Sequence, residues 1–182
     1  MKKLLLLLFS LIVSCVVVVG SVFVFKHLTL QRQVSEVIAA DYRNEGIKLT
    51  AHYGNYINQK ELTVDISGFT EDKRPVDVFR VFLQFAEKLK ERDFERIIFA
   101  SKGEAKFYLK GEDFKALGVE YGEQNPIYTM RTFPEKLYTP DGDAAFSRWT
   151  GGVLGVASKQ MEDFLEFHRQ WYINDLKGTV TD

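Results

Sequence analysis

Cysteine occurs once in these 182 residues, at Cys15. No intramolecular disulfide and no cysteine-based zinc cluster can form. Histidine is almost as scarce, with only His27, His52 and His168. None sits in an H-E-x-x-H motif or three residues after a carboxylate, so no metal-ligating motif is present. Nucleophile and phosphate signatures are missing too: there is no G-x-S-x-G, S-x-x-K, G-x-G-x-x-G or P-loop. The chain has no N-x-S/T acceptor, no low-complexity tract and no internal repeat. A basic excess is lacking as well. Setting aside Lys2 and Lys3, the 24 basic residues fall to 22 against 25 acidic ones, a formal charge of −3. That balance gives no electrostatic footprint for nucleic acid. No cofactor and no metal is expected.

What the chain does have is an apolar N-terminus. Leu4 to Phe25 is a run of 22 positions without charge or proline. As a helix it spans about 33 Å, enough to cross a hydrocarbon layer of about 30 Å. Three readings fit residues 1–27. A cleaved signal peptide has its basic start in Lys2 and Lys3 and a passable site at Val18-Val19-Gly20, but Val22 to Phe25 carry the run past it. A lipoprotein reading uses Ile12-Val13-Ser14-Cys15, although the residues after Cys15 stay apolar. An uncleaved single span, bounded by Lys26, His27 and Arg32, accounts for the whole run and is the expected one. The short tail with Lys2 and Lys3 places the remainder outside the cytoplasm, as expected for a bacterial inner-membrane protein facing the periplasm or cell exterior.

The expected organisation is a membrane anchor over 1–27, an amphipathic juxtamembrane helix over 28–46, a globular domain over 47–176 and a tail over 177–182. In the second segment Leu30, Val34, Val37, Ile38 and Tyr42 recur at spacings of three and four. Gly46 is its expected stop. The pattern then changes to period two. Ile47, Leu49, Ala51 and Tyr53 alternate with polar residues, and so do Leu62, Val64 and Ile66, which predicts a hairpin. Pro75 to Arg92 is the strongest helix signal. Asp77, Arg80, Gln84, Glu87 and Glu91 form a narrow polar stripe, so Gln84 is expected to face solvent, while Phe79, Phe82 and Phe85 lie on the apolar remainder.

Phe94 to Ala100 and Ala105 to Lys110 predict a second hairpin around Lys102-Gly103, followed by a short helix over Gly111 to Leu117 that stops at Gly118. Residues 119–150, with Pro126, Pro134 and Pro140, are expected to be irregular with short helical turns. Gly155 to Ile173 is the last helix. The fold class is α+β, an N-terminal transmembrane helix followed by one antiparallel-sheet domain of two hairpins covered by helices.

Candidate chemistry is sparse. His168 sits on the apolar stripe of the last helix, where a histidine is more often a core residue than a general base. Trp149 to Gly155 contains Gly151, Gly152 and Gly155 ahead of a helix, with Lys159 one turn on. Exposed amides there suit an anion, while Gly151-xxx-Gly155 suits close backbone packing, which is the expectation adopted. The expected function is a membrane-anchored, non-enzymatic interaction or scaffold domain of the cell envelope. It contacts the membrane through Leu4 to Phe25, binds a protein partner and does not bind nucleic acid. Residues 121–149 are the expected interaction segment. Two alternatives remain: an anchored hydrolase or anion-binding protein built on Gly151, Gly152, Gly155, Lys159 and His168, and a module that binds a small molecule or lipid.

Overall fold

Alternation of apolar and polar residues gives way to three-four periodicity, and back again, at the joints of the structure. A computed structural model describes residues 11, 13–14, 29–54 and 59–176. The expected span, Cys15 and the tail over 177–182 therefore lie outside the described residues, apart from those three positions. Among the described residues no helix is long and apolar enough to cross a membrane.

Residues 29–40 are helical (α1). Strands β1 (Ile47–Tyr53) and β2 (Glu61–Phe69) form the first hairpin, with Ala51 opposite Val64. Helix α2 (Pro75–Leu89) leads to the second hairpin, β3 (Arg96–Ser101) and β4 (Glu104–Lys110). Lys102 and Gly103 both have positive φ (52° and 80°). That is the geometry a two-residue hairpin turn needs to match strand twist. Helices α3 (Gly111–Glu120) and α4 (Pro126–Thr132), a two-residue strand β5 (Leu137–Tyr138) and helix α5 (Val153–His168) follow. A π-turn (Arg169–Ile173) and a short α6 (Asn174–Leu176) close the described chain.

The sheet has five strands in sequence order. It is mixed rather than antiparallel throughout, because β2 and β3 run parallel. Local alternation sets each hairpin but not the way two hairpins join. The 15 residues of α2 carry the chain back about 22 Å, so β3 starts at the same end as β2.

One sheet face is buried. Leu62, Val64, Ile66, Ile97, Phe99, Phe107 and Leu109 pack against α2 and α5. Phe133, from the stretch expected to be irregular, is fully buried there. Its ring centroid lies 4.9 Å from Phe79, 5.8 Å from Phe82, 5.9 Å from Phe99 and 5.3 Å from Phe167. The other sheet face carries Lys48, Thr50, His52, Arg96, Ile98, Tyr108, Lys110 and Tyr138, all exposed or half-buried.

Leu30, Val34 and Val37 of α1 enter the same core cluster. Gln31 Oε1 accepts from the Ala51 backbone N–H at 3.3 Å, on the outer side of β1. The helix ends before Tyr42, which is 85% exposed rather than on the apolar stripe. Asp41 breaks the periodicity by accepting from the Arg43 N–H at the start of a 3₁₀ turn (Tyr42–Asn44). That turn delivers Asn44 into the interior. Asn44 Nδ2 donates to the Val37 carbonyl at 3.0 Å and to Gln84 Oε1 at 2.6 Å. Gln84 Nε2 donates to Asp41. The α2 polar stripe is thus partly covered and hydrogen-bonded, which corrects the solvent-facing expectation for Gln84.

Helix α3 also runs past its expected stop. A Cβ on Gly118 would lie 2.4 Å from the Ala86 carbonyl oxygen. This glycine permits backbone contact between α2 and α3 instead of ending the helix.

Two substitutions test this architecture. Phe133→Ala costs about 3–5 kcal/mol, the range for truncating a buried aromatic. Gln84→Ala costs about 1–2 kcal/mol, because it removes one acceptor from the buried Asn44 amide. Chemical denaturation measures both, and a neutral Gln84→Ala would mean that the Asn44 network does not support the fold.

Candidate functional site

A concavity with mostly apolar walls lies between the first half of α2, the end of α3 and α4. Its volume is about 370 Å³ and its walls include Val76, Phe79, Leu83, Leu117, Tyr121 and Met130. Local sequence builds it directly. Gly122, at φ +87°, turns the chain after α3. Asn125 caps α4 by accepting from the Ile127 N–H at 2.9 Å, and Pro126 takes the first helical position, where its missing N–H costs nothing. That Asn-Pro pair is the signal from which the sequence could have given α4.

The polar rim is already engaged. Arg80 donates to Asp77 Oδ1 at 2.9 Å, to the Arg43 carbonyl at 2.9 Å and to Asn44 Oδ1 at 3.2 Å. Arg43 clamps Asp41 through Nε and Nη2 at 2.6–3.1 Å. The Arg43 guanidinium holds the Asp41 carboxyl well below the usual carboxylate range. Both arginines on the rim thus have acidic partners, so among the described residues an incoming anion finds no unsatisfied cation there. The walls favour an apolar guest.

The residues singled out from sequence do not converge. A Cβ on Gly151, Gly152 or Gly155 would meet nothing within 4 Å. Among the described residues, Gly151 and Gly155 are thus not packed against the sheet, contrary to that half of the close-packing expectation: the first turn of α5 projects from the body, leaving Val153 78% and Leu154 87% exposed. Lys159 pairs with Glu162 at 2.8 Å, which raises its pKa. Its ammonium stands 5.9 Å from the Trp149 ring.

His168 ends the same helix as Gly155, about 20 Å further along its axis. It is fully buried, with its ring 4.6 Å from Phe164, 4.8 Å from Phe167 and 6.2 Å from Phe79. Nδ1 lies 3.2 Å from the Tyr172 hydroxyl, while Nε2 has no hydrogen-bond partner among the described residues. Burial holds the imidazole neutral, with its pKa pushed down to about 3. A base with no route to solvent or substrate cannot move a proton to either.

Among the described residues, no three His, Cys, Asp or Glu side chains are placed to hold a metal ion. No protein-family profile, curated protein or solved structure matches the chain.

Two outcomes follow from these placements. His168 has a folded-state pKa below its unfolded value of 6.5, so the unfolded chain binds the extra proton. Its contribution is complete above pH 6.5 and is lost as pH falls towards about 3, at up to roughly 1.4 kcal/mol per pH unit. Urea titrations across that window should show a shallower acid loss for His168→Phe than for the parent. Gly155→Ala should stabilise the chain by about 0.5–1 kcal/mol, since an open glycine in a helix costs that much relative to alanine. A destabilised Gly155→Ala would restore the close-packing view.

Proposed function

We propose that the protein is a non-enzymatic interaction domain, tethered to a cell-envelope membrane through Leu4 to Phe25 and facing away from the cytoplasm. Its groove between α2, α3 and α4 receives an apolar element of a protein partner. The observation that carries this reading is the character of the groove. Apolar side chains form the walls, and the rim arginines are already bonded to Asp41, Asp77 and Asn44. Val76 and Ile127 extend the apolar surface beyond the opening, at 42% and 59% exposure. A pocket that a partner's side chains fill while water is excluded around it is where binding energy concentrates at protein interfaces. The hydrolase and anion-binding alternative draws no support from His168, which is enclosed, or from Lys159, which is paired.

A photo-crosslinking residue at Gln124, on the groove rim, tests the reading in cells. A discrete adduct is expected in the parent. It should disappear in Met130→Glu, which places a charge on the groove wall, and persist in Val153→Glu, which changes an exposed residue of α5. An adduct insensitive to Met130→Glu in a folded, normally abundant protein would remove the groove from the interaction.

A further inference from the structure

The direction in which α1 runs, together with the charges at one end of the sheet, indicates how the domain sits on its membrane. The contacts that α1 and the turn after it make with α2 occur in opposite sequence order. Glu36 pairs with Lys88 at 3.0 Å, while Asp41 and Asn44 meet Gln84 and Arg80 further towards the start of α2. The beginning of α1 therefore lies at the far end of α2, beside Tyr53 and Arg92, where β2 and β3 start and β4 ends. Gln31 against Ala51 places it there independently. Residue 29, where the described helix begins, therefore lies at this end, and three residues of sequence separate it from the apolar run Leu4 to Phe25.

The same end carries an unusual group on the uncovered sheet face. Arg96 and Lys110 are partners in register. The Arg96 guanidinium stands 5.1 Å from the Tyr108 ring centroid, and the Lys110 ammonium 5.1 Å from that of Tyr138. The two rings stack, with centroids 5.1 Å apart and planes at 13°. Among the described residues neither cation has a carboxylate within ion-pairing distance, unlike Lys88 and Lys115 nearby. Glu61, the register partner of Arg96 on β2, has its carboxylate beside Gly54 instead. Arg92 donates to the Tyr53 hydroxyl at 3.0 Å. Tyrosine, arginine and lysine are the side chains that settle at a bilayer interface, rings among the headgroups and cations on the phosphates.

We propose that this end of the open sheet face, with Arg96, Tyr108, Lys110 and Tyr138, rests on anionic lipid headgroups. The proposal depends on the membrane-anchor reading of Leu4 to Phe25 and is independent of the partner assigned to the groove. In this pose the groove, at the opposite end of α2, points into the aqueous compartment. Each cation beside an anionic surface favours docking about fivefold, so the pair favours it about 30-fold.

The test uses the full-length chain in vesicles whose lipids carry a headgroup nitroxide quencher. Fluorescent labels are attached to single cysteines in a Cys15→Ser background, at Glu95→Cys beside β3 or at Glu71→Cys at the opposite end. In phosphatidylglycerol-containing vesicles the label at 95 should be strongly quenched and that at 71 weakly. Quenching at 95 should fall in pure phosphatidylcholine. It should fall similarly in phosphatidylglycerol when Arg96→Gln and Lys110→Gln are combined, as the docked-to-undocked ratio drops about 30-fold. Equal quenching at the two positions, or quenching at 95 that ignores lipid charge, would overturn the docked pose. Release of the chain from vesicles by an alkaline wash would instead overturn the anchor reading on which the pose rests.

Discussion

The structure depends on one buried aromatic cluster centred on Phe133. Its ring touches phenylalanines from α2, β3 and α5, so a single side chain from the connection between α4 and β5 holds three elements that are distant in sequence. Around it the rings meet mostly edge to face, the arrangement that ring quadrupoles favour. Phe99 illustrates this, with Phe167 at 84° and Trp171 at 80°. Trp171 also donates its indole N–H to the Ala100 carbonyl at 2.8 Å. The π-turn that carries it is thereby fixed to β3, with its polar edge satisfied. His168 lies inside this cluster, which is why it is neutral.

A second, polar constraint acts at the periphery. The turn over Asp41 to Asn44 lies across the polar stripe of α2, and its hydrogen bonds join that stripe to the end of α1. The wide apolar face of α2 faces the sheet and its narrow polar stripe faces this strap, so little of the helix is free. The strap also determines the electrostatics of the groove, because the arginines that border it are the ones the strap engages.

Much of this was legible in the sequence. Period-two runs located β1 and β2, Lys102-Gly103 located the second hairpin, and Pro75 began α2 as the position of a first-turn proline requires. The parallel pairing of β2 with β3 was not legible, because it follows from the length of the crossover and not from either strand. Phe133 was missed because an isolated aromatic between prolines has no periodicity to reveal its burial. Gly118 and Gly155 show the limit of reading glycines. One looked like a helix stop and is a point of backbone contact, while the other looked like a contact and faces open space. The groove was hidden for a related reason: it is assembled from α2, α3 and α4, and its walls resemble core residues when read along the chain.

Gln31 has a wider consequence. By accepting from the Ala51 N–H it occupies one of the outward donors of β1, and α1 lies along that margin of the sheet. At the other margin β5 offers only two residues. Strand addition needs a row of unoccupied backbone donors and acceptors. With an outward donor of β1 taken by Gln31 and only two residues in β5, the described margins are poor templates for edge-to-edge pairing of one copy with another.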